Sequence, residues 1–133
     1  MTNTAYAYFA IYGDFDPTEI TQVTGVTPTD VWVKGQMRAG RSMQLSMWKL
    51  VSTLGQDRPL EEHIRNVLAR LDTKADAFRC VSRQFDGTMQ LVAEFLDWPG
   101  LHFERDIIDG LANYALAVDF DFYSLSSSER EDP

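Results

Sequence analysis

Residues 5–12, AYAYFAIY, alternate so that Ala5, Ala7, Phe9 and Ile11 fall on one side and Tyr6, Tyr8, Ala10 and Tyr12 on the other, the period of a β-strand. Gly13 ends this run, and Asp16, Pro17 and Glu19 follow at the spacing of an N-cap, a first helical proline and a capping-box acid. The pattern predicts a short helix closed by Gly25. DVWVKG then reads as a second strand, QMRAGRS as an exposed, mobile connection, and SMQLSMWKLVST as a central strand with Trp48 in the core.

In residues 57–71, Leu60, Ile64, Val67, Leu68 and Leu71 form a one-sided helical stripe, with Pro59 near its start and Glu61 and Glu62 in the first turn. His63 falls beside that acidic turn and off the stripe, which predicts a solvated or ion-paired histidine. FRCVSRQF and TMQLVAEFL, separated by Asp86-Gly87, have the pattern of a β-hairpin. Phe103, Ile107, Ile108 and Leu111 predict a third helix, with Gly110 a weak point inside it. LAVDFDFYSL alternates strictly as a last strand.

The resulting order is β-α-β-β-α-β-β-α-β, and its first six elements, like its last six, have the βαββαβ sequence of a ferredoxin-like unit. The expected architecture is α+β: a mainly antiparallel six-stranded sheet backed on one face by three helices. A shift of 87 residues lays Ile20 on Ile107 and Val31 and Val33 on Val118 and Phe120, a faint internal echo at the spacing of a helix followed by a strand. The 133 residues fit one domain over 1–125, with 126–133, SSSEREDP, as a polar tail.

Composition narrows the surface more than the fold. Twenty acidic residues against 12 basic give a net charge of −8, which repels phosphate backbones and anionic lipid, so nucleic acid and membrane are excluded as expected partners. No apolar run reaches the length of a membrane helix and the N-terminus lacks a basic signal-peptide start, so the expected location is cytoplasmic. Cys80 is the only cysteine; in a strand-like run it reads as a small buried hydrophobe, and a cysteine-based metal cage is out of reach.

Helices on one side leave the other sheet face open. Asp119, Asp121 and Tyr123 alternate away from Leu116, Val118, Phe120 and Phe122; with Tyr6, Tyr8 and Tyr12 they make a candidate aromatic and acidic interaction surface, which Arg79 and Arg83 join if FRCVSRQF is a strand. Tyrosine and arginine are enriched in interfaces, so this face suits another protein, basic in character, or a second copy of the chain as a homodimer. A solvated face is the plain alternative. Acid–base chemistry is another, because Asp119 and Asp121 lie about 7 Å apart on one strand face, a separation that suits a two-carboxylate hydrolase.

No catalytic residue, cofactor or metal is assigned from the sequence: it offers no nucleophile with its base, no glycine-rich phosphate loop and no metal triad. Asp14, Asp16 and Glu19 could in principle hold Mg²⁺ or Ca²⁺, but they lack the further donors, central glycine and distal glutamate of an EF-hand loop. Capping accounts for them better.

The ordered set YGDFDPTEITQVTGVTPTDVWVKGQ, SMWKLVST, PLEEHIRNVLARL, PGLHFERDIIDGLA and AVDFDFYSL resembles the bacterial domain-of-unknown-function family numbered 4279, from Tyr6 to Leu125. The similarity rests on Gly13, Asp16, Pro17 and Ile20, on Gly25 with Pro28 and Thr29, on Lys34-Gly35, Trp48 and Leu60-Glu61-Glu62-His63, and on Asp119-Phe120-Asp121-Phe122-Tyr123. Val23 and Thr24 precede Gly25 where the family more often has leucine, which implies different packing of the first helix. The resemblance implies a small stand-alone bacterial domain and brings no reaction or cofactor. The expected function is that of a non-enzymatic interaction module, accessory or toxin-neutralising in kind; the alternative is a small-molecule-binding or hydrolytic domain using the open sheet face.

Overall fold

The first strand, β1 (Thr4–Gly13), buries Ala5, Ala7, Phe9 and Ile11 as its alternation dictates. The computed structural model describes residues 2–125; the tail expected at 126–133 lies outside them. After β1 come α1 (Pro17–Thr24), β2 (Asp30–Trp32), β3 (Met37–Arg38), β4 (Arg41–Ser42), β5 (Ser46–Val51), α2 (Leu60–Asp72), α3 (Ala75–Gln84), β6 (Thr88–Phe95), α4 (Arg105–Asn113) and β7 (Ala117–Ser124). Among the described residues this is an α+β fold with a five-stranded main sheet in the order β2-β5-β1-β6-β7, a separate β3–β4 pair and four helices.

The expected six-stranded, mainly antiparallel sheet with three helices is therefore corrected in three places. FRCVSRQF is not a strand but most of α3, because Phe78, Val81 and Phe85 recur at helical spacing and turn toward the core. The Asp86-Gly87 signal was a true turn, but a helix-to-strand one: Asp86 has φ 51° and the Gly87 N–H donates to the Ser82 carbonyl at 2.8 Å. A Cβ on Gly87 would stand 2.9 Å from the Ser82 Cβ, so the close approach requires glycine.

The second correction is at QMRAGRS, which forms the β3–β4 hairpin around Ala39 and Gly40, both with positive φ, and leaves β5 to begin at Ser46. The third is the sheet itself, which is mixed. β1 pairs antiparallel with β5 and β6, and β2 with β5, but α4 carries the chain back so that β7 runs parallel to β6. Strands β1 and β2 thus flank β5 on either side, a split βαβ arrangement that β6 extends and β7 adds to. Of the positions aligned by the 87-residue shift, Ile20 and Ile107 are both buried on helices that precede strands, whereas Val33 lies past the end of β2.

All four helices pack on one face of the sheet. At its centre Phe9 of β1, Trp48 of β5 and Phe78 of α3 meet with ring centroids 5.6–6.1 Å apart, edge-to-face and tilted contacts that favour one arrangement. The Trp48 Nε1–H donates to Thr21 Oγ1 at 3.1 Å, which fixes α1 over β5. Thr24, in place of an apolar residue, is buried and donates to the Ile20 carbonyl at 2.9 Å while accepting from the Val26 N–H. Gly110 is less a weak point than a close approach: a Cβ there would lie 2.7 Å from Leu68 Cδ1 on α2. Ile108, expected on the same buried stripe, is 51% exposed on the outer side of α4.

Candidate functional site

Strand register brings the six residues singled out from the sequence onto one face. Across β1, β6 and β7, Tyr6 lies beside Val92 and Val92 beside Asp121, while Tyr8 lies beside Gln90 and Gln90 beside Asp119. Tyr12 continues the β1 row and Tyr123 the β7 row. This is the face opposite the helices, since Ala7, Phe9, Leu91 and Met89 take the core side of the same strands. Arg79 and Arg83 do not join it, because both ride on α3; Arg79 pairs there with Asp76 and donates to Asn113.

The electrostatics tie these side chains into one surface. Burial and then the neighbouring Tyr12, Tyr6, Asp121 and Asp119 push the Tyr8 phenol up to about 12. Burial and the Asp119 carboxylate raise Tyr12, and the adjacent Asp121 raises Tyr123. Tyr6 and Tyr8 stack with centroids 6.4 Å apart. The Tyr8, Tyr12 and Tyr123 phenols are thus held protonated as hydrogen-bond donors beside exposed carboxylates.

Register also adds residues that periodicity alone does not reach. Lys49, paired with Ala10, places its Nζ 4.4 Å from the Tyr8 ring centroid. Trp32 lies 6.4 Å from Tyr12, and Arg38 of the β3–β4 hairpin stands 4.9 Å over Trp32 and 3.5 Å from Asp30. The face therefore has an aromatic centre, cations already engaged at the β2–β5 side, and an acidic margin of Glu94, Asp119 and Asp121 toward β7. Alternation around Lys49 and Trp32 was visible in the sequence, but which strand they would neighbour was not.

The remaining candidates have structural partners. Asp16 accepts from the Thr18 N–H at 3.0 Å and the Thr18 hydroxyl at 2.8 Å, which lowers its pKa, and Gly25 closes α1 in the left-handed conformation. Among the described residues no hydrogen bond returns from Glu19 to the Asp16 N–H, so Glu19 serves the helix dipole rather than a capping box. Asp14 pairs with Lys34 at 3.2 Å. Cys80 is exposed on α3, contrary to the buried strand position expected.

His63 is the sharpest correction. It is 0% exposed rather than solvated, with Nδ1 2.7 Å from Ser52 Oγ. Ser52 Oγ also accepts the Ala7 N–H at 3.3 Å, so one hydroxyl joins β1 to the α2 histidine. Burial depresses the His63 pKa. An alcohol against an imidazole is a nucleophile–base geometry, but this pair lies on the helix side of the sheet with its histidine enclosed, and its work is to pin α2 to the end of β5. A cleft of about 240 Å³ near Asn3, Arg58, Leu60, Phe95 and Leu101 includes neither this pair nor any of the six surface residues.

Among the described residues no helix is long and apolar enough to cross a membrane, and no group of three or more His, Cys, Asp or Glu is placed to hold a metal ion. No curated protein and no solved structure matches the chain. Residues 3–125 match the family model described as Domain of unknown function (DUF4279), and the chain belongs to that family.

Proposed function

We propose that the protein is a non-enzymatic interaction module whose open sheet face, Tyr6, Tyr8, Tyr12, Asp119, Asp121 and Tyr123, receives a basic protein partner. The observation that supports the reading is the placement of these six side chains on one face of the sheet, three on β1 and three on β7 with β6 between them, so that phenols and exposed carboxylates share a surface. Phenols supply rigid, amphipathic contact area at low entropic cost, and carboxylates at the margin supply charge recognition. A net charge of −8 adds long-range attraction for a cationic surface. Accessory or toxin-neutralising capture of a basic protein is the role that this chemistry suits.

The competing reading is hydrolysis or small-molecule binding at Asp119 and Asp121. Both carboxylates are exposed, and the only Ser–His pair among the described hydrogen bonds lies on the other side of the sheet, so binding is favoured over acid–base chemistry.

The test is affinity capture from a lysate of the source cells with three baits: wild type, Asp119→Lys with Asp121→Lys, and Glu19→Lys with Asp109→Lys as a charge-matched control on the helix side. A stoichiometric protein held by wild type and control but lost by the first double variant supports the reading. Equal capture by all three, or retention of a small molecule alone, overturns it.

A further inference from the structure

The two edges of the main sheet are built differently. β2 ends one side after three residues, with the β3–β4 hairpin beside it, which leaves little backbone to pair with. β7 ends the other side as a regular strand of eight residues. Its pairing to β6 is uninterrupted, and the flanking bonds fix its phase: the Ala117 N–H donates to Gly87 at 3.0 Å and the Leu125 N–H to Phe95 at 2.8 Å. By alternation the backbone groups of Asp119, Asp121 and Tyr123 also turn toward β6, so those of Val118, Phe120 and Phe122 turn outward. Among the described residues no strand meets them there.

The side chains along this edge differ by face. On the open face Asp119, Asp121 and Tyr123 are exposed. On the helix face Phe120 is 60% exposed although its parity is that of the core, and it lines a shallow apolar depression with Leu101 and Phe103. Phe122 packs on Phe95 and Trp98 beside it. Between Val118 and Phe122 the edge therefore offers outward-turned backbone donors and acceptors, with acids above and aromatic rings below.

We infer that β7 takes up an extended segment of a partner as a sixth strand of the sheet, one in which basic residues alternate with apolar ones. Backbone bonds to Val118, Phe120 and Phe122 hold the segment; its basic side chains meet Asp119 and Asp121, and its apolar side chains cover Phe120, Leu101 and Phe103. In the registers of fullest overlap, charge selects this occupant over a second copy. Two-fold antiparallel pairing of β7 with itself, centred on Phe120, sets Asp119 of each chain opposite Asp121 of the other, an unfavourable like-charge pair on the same face. The inference rests on the binding-module reading and specifies the form of its partner.

The probe is a capped peptide of alternating Lys and Val, seven residues long, titrated into isotope-labelled full-length protein and followed by amide NMR and hydrogen exchange. The expected result is saturable binding, slowed exchange at Val118, Phe120 and Phe122, and loss of binding when the peptide is N-methylated at alternate residues. Asp119→Lys with Asp121→Lys should weaken binding at least tenfold, while Phe120→Thr, on an exposed side chain, should weaken it without unfolding the protein. Sedimentation showing a dimer without peptide that Asp119→Lys alters would assign the edge to a second copy and overturn the inference. No protection on β7, alongside continued capture of a partner that depends on Asp119 and Asp121, would overturn strand addition and leave the broader binding reading standing.

Discussion

His63 and Ser52 show what a single buried polar contact costs when it is broken. Ser52→Ala leaves the His63 Nδ1 and the Ala7 N–H without their partner, and thermal or urea unfolding should show a loss of about 1–3 kcal/mol. The histidine also sets a pH dependence. Because burial holds its folded pKa below the ordinary 6.5, the unfolded chain takes up the proton first, so stability is full above about 6.5 and falls as pH drops below it. Urea unfolding of wild type at pH 7.5 and 5.5 should show that loss, and His63→Gln should lack most of it; equal slopes for the two proteins would mean the imidazole titrates as it would in water. The burial of His63 has a signal in the sequence, because it stands three residues after Leu60 and four before Val67 and so lies on the apolar stripe rather than off it. Its partner has none: Ser52 is eleven residues away in a loop whose position depends on β5 joining β1.

At the scale of elements, short-range signals were read where they act alone and misread where a neighbour decides. The Asp16-Pro17 start, the Gly25 stop and the α2 stripe all appear in the structure because cap and stripe are local physics. In α3, Phe78, Cys80 and Ser82 also alternate by twos, and burial of Phe78 against Phe9 and Trp48, with Val81 in the same core, decides for the helix. The parallel pairing of β7 has a signal in the strand-helix-strand order, since a helical crossover returns the chain in the same direction, but that order does not say that β7 joins next to β6. Two substitutions measure the packing of these elements. Gly87→Ala should cost about 1–3 kcal/mol by overpacking against Ser82, whereas Gly100→Ala, with nothing within 4 Å, should stay within about 0.5 kcal/mol. Phe9→Ala should remove about 3–5 kcal/mol, because it leaves a cavity between Trp48 and Phe78.

For the whole molecule, the sheet separates two jobs. Its helix side carries the core, and its open side carries tyrosines and acids that the core does not need. That division was legible in the sequence because strand alternation assigns residues to faces without knowledge of strand order, and all six candidate residues do share a face. Lys49, Trp32 and Arg38 were missed because they enter only through register. The surface predicts an electrostatic signature: exposed carboxylates on an anionic protein accelerate encounter with a cation, and salt removes the acceleration. The most direct measurement is the association rate of the captured partner by stopped flow at about 50 and 300 mM salt, for wild type and for Asp119→Lys with Asp121→Lys. The account predicts a wild-type rate that falls by about tenfold or more over that range and a variant rate that is slow and nearly flat. Equal rates and equal salt dependence for the two proteins would contradict it, and would place the binding surface away from the open face of the sheet.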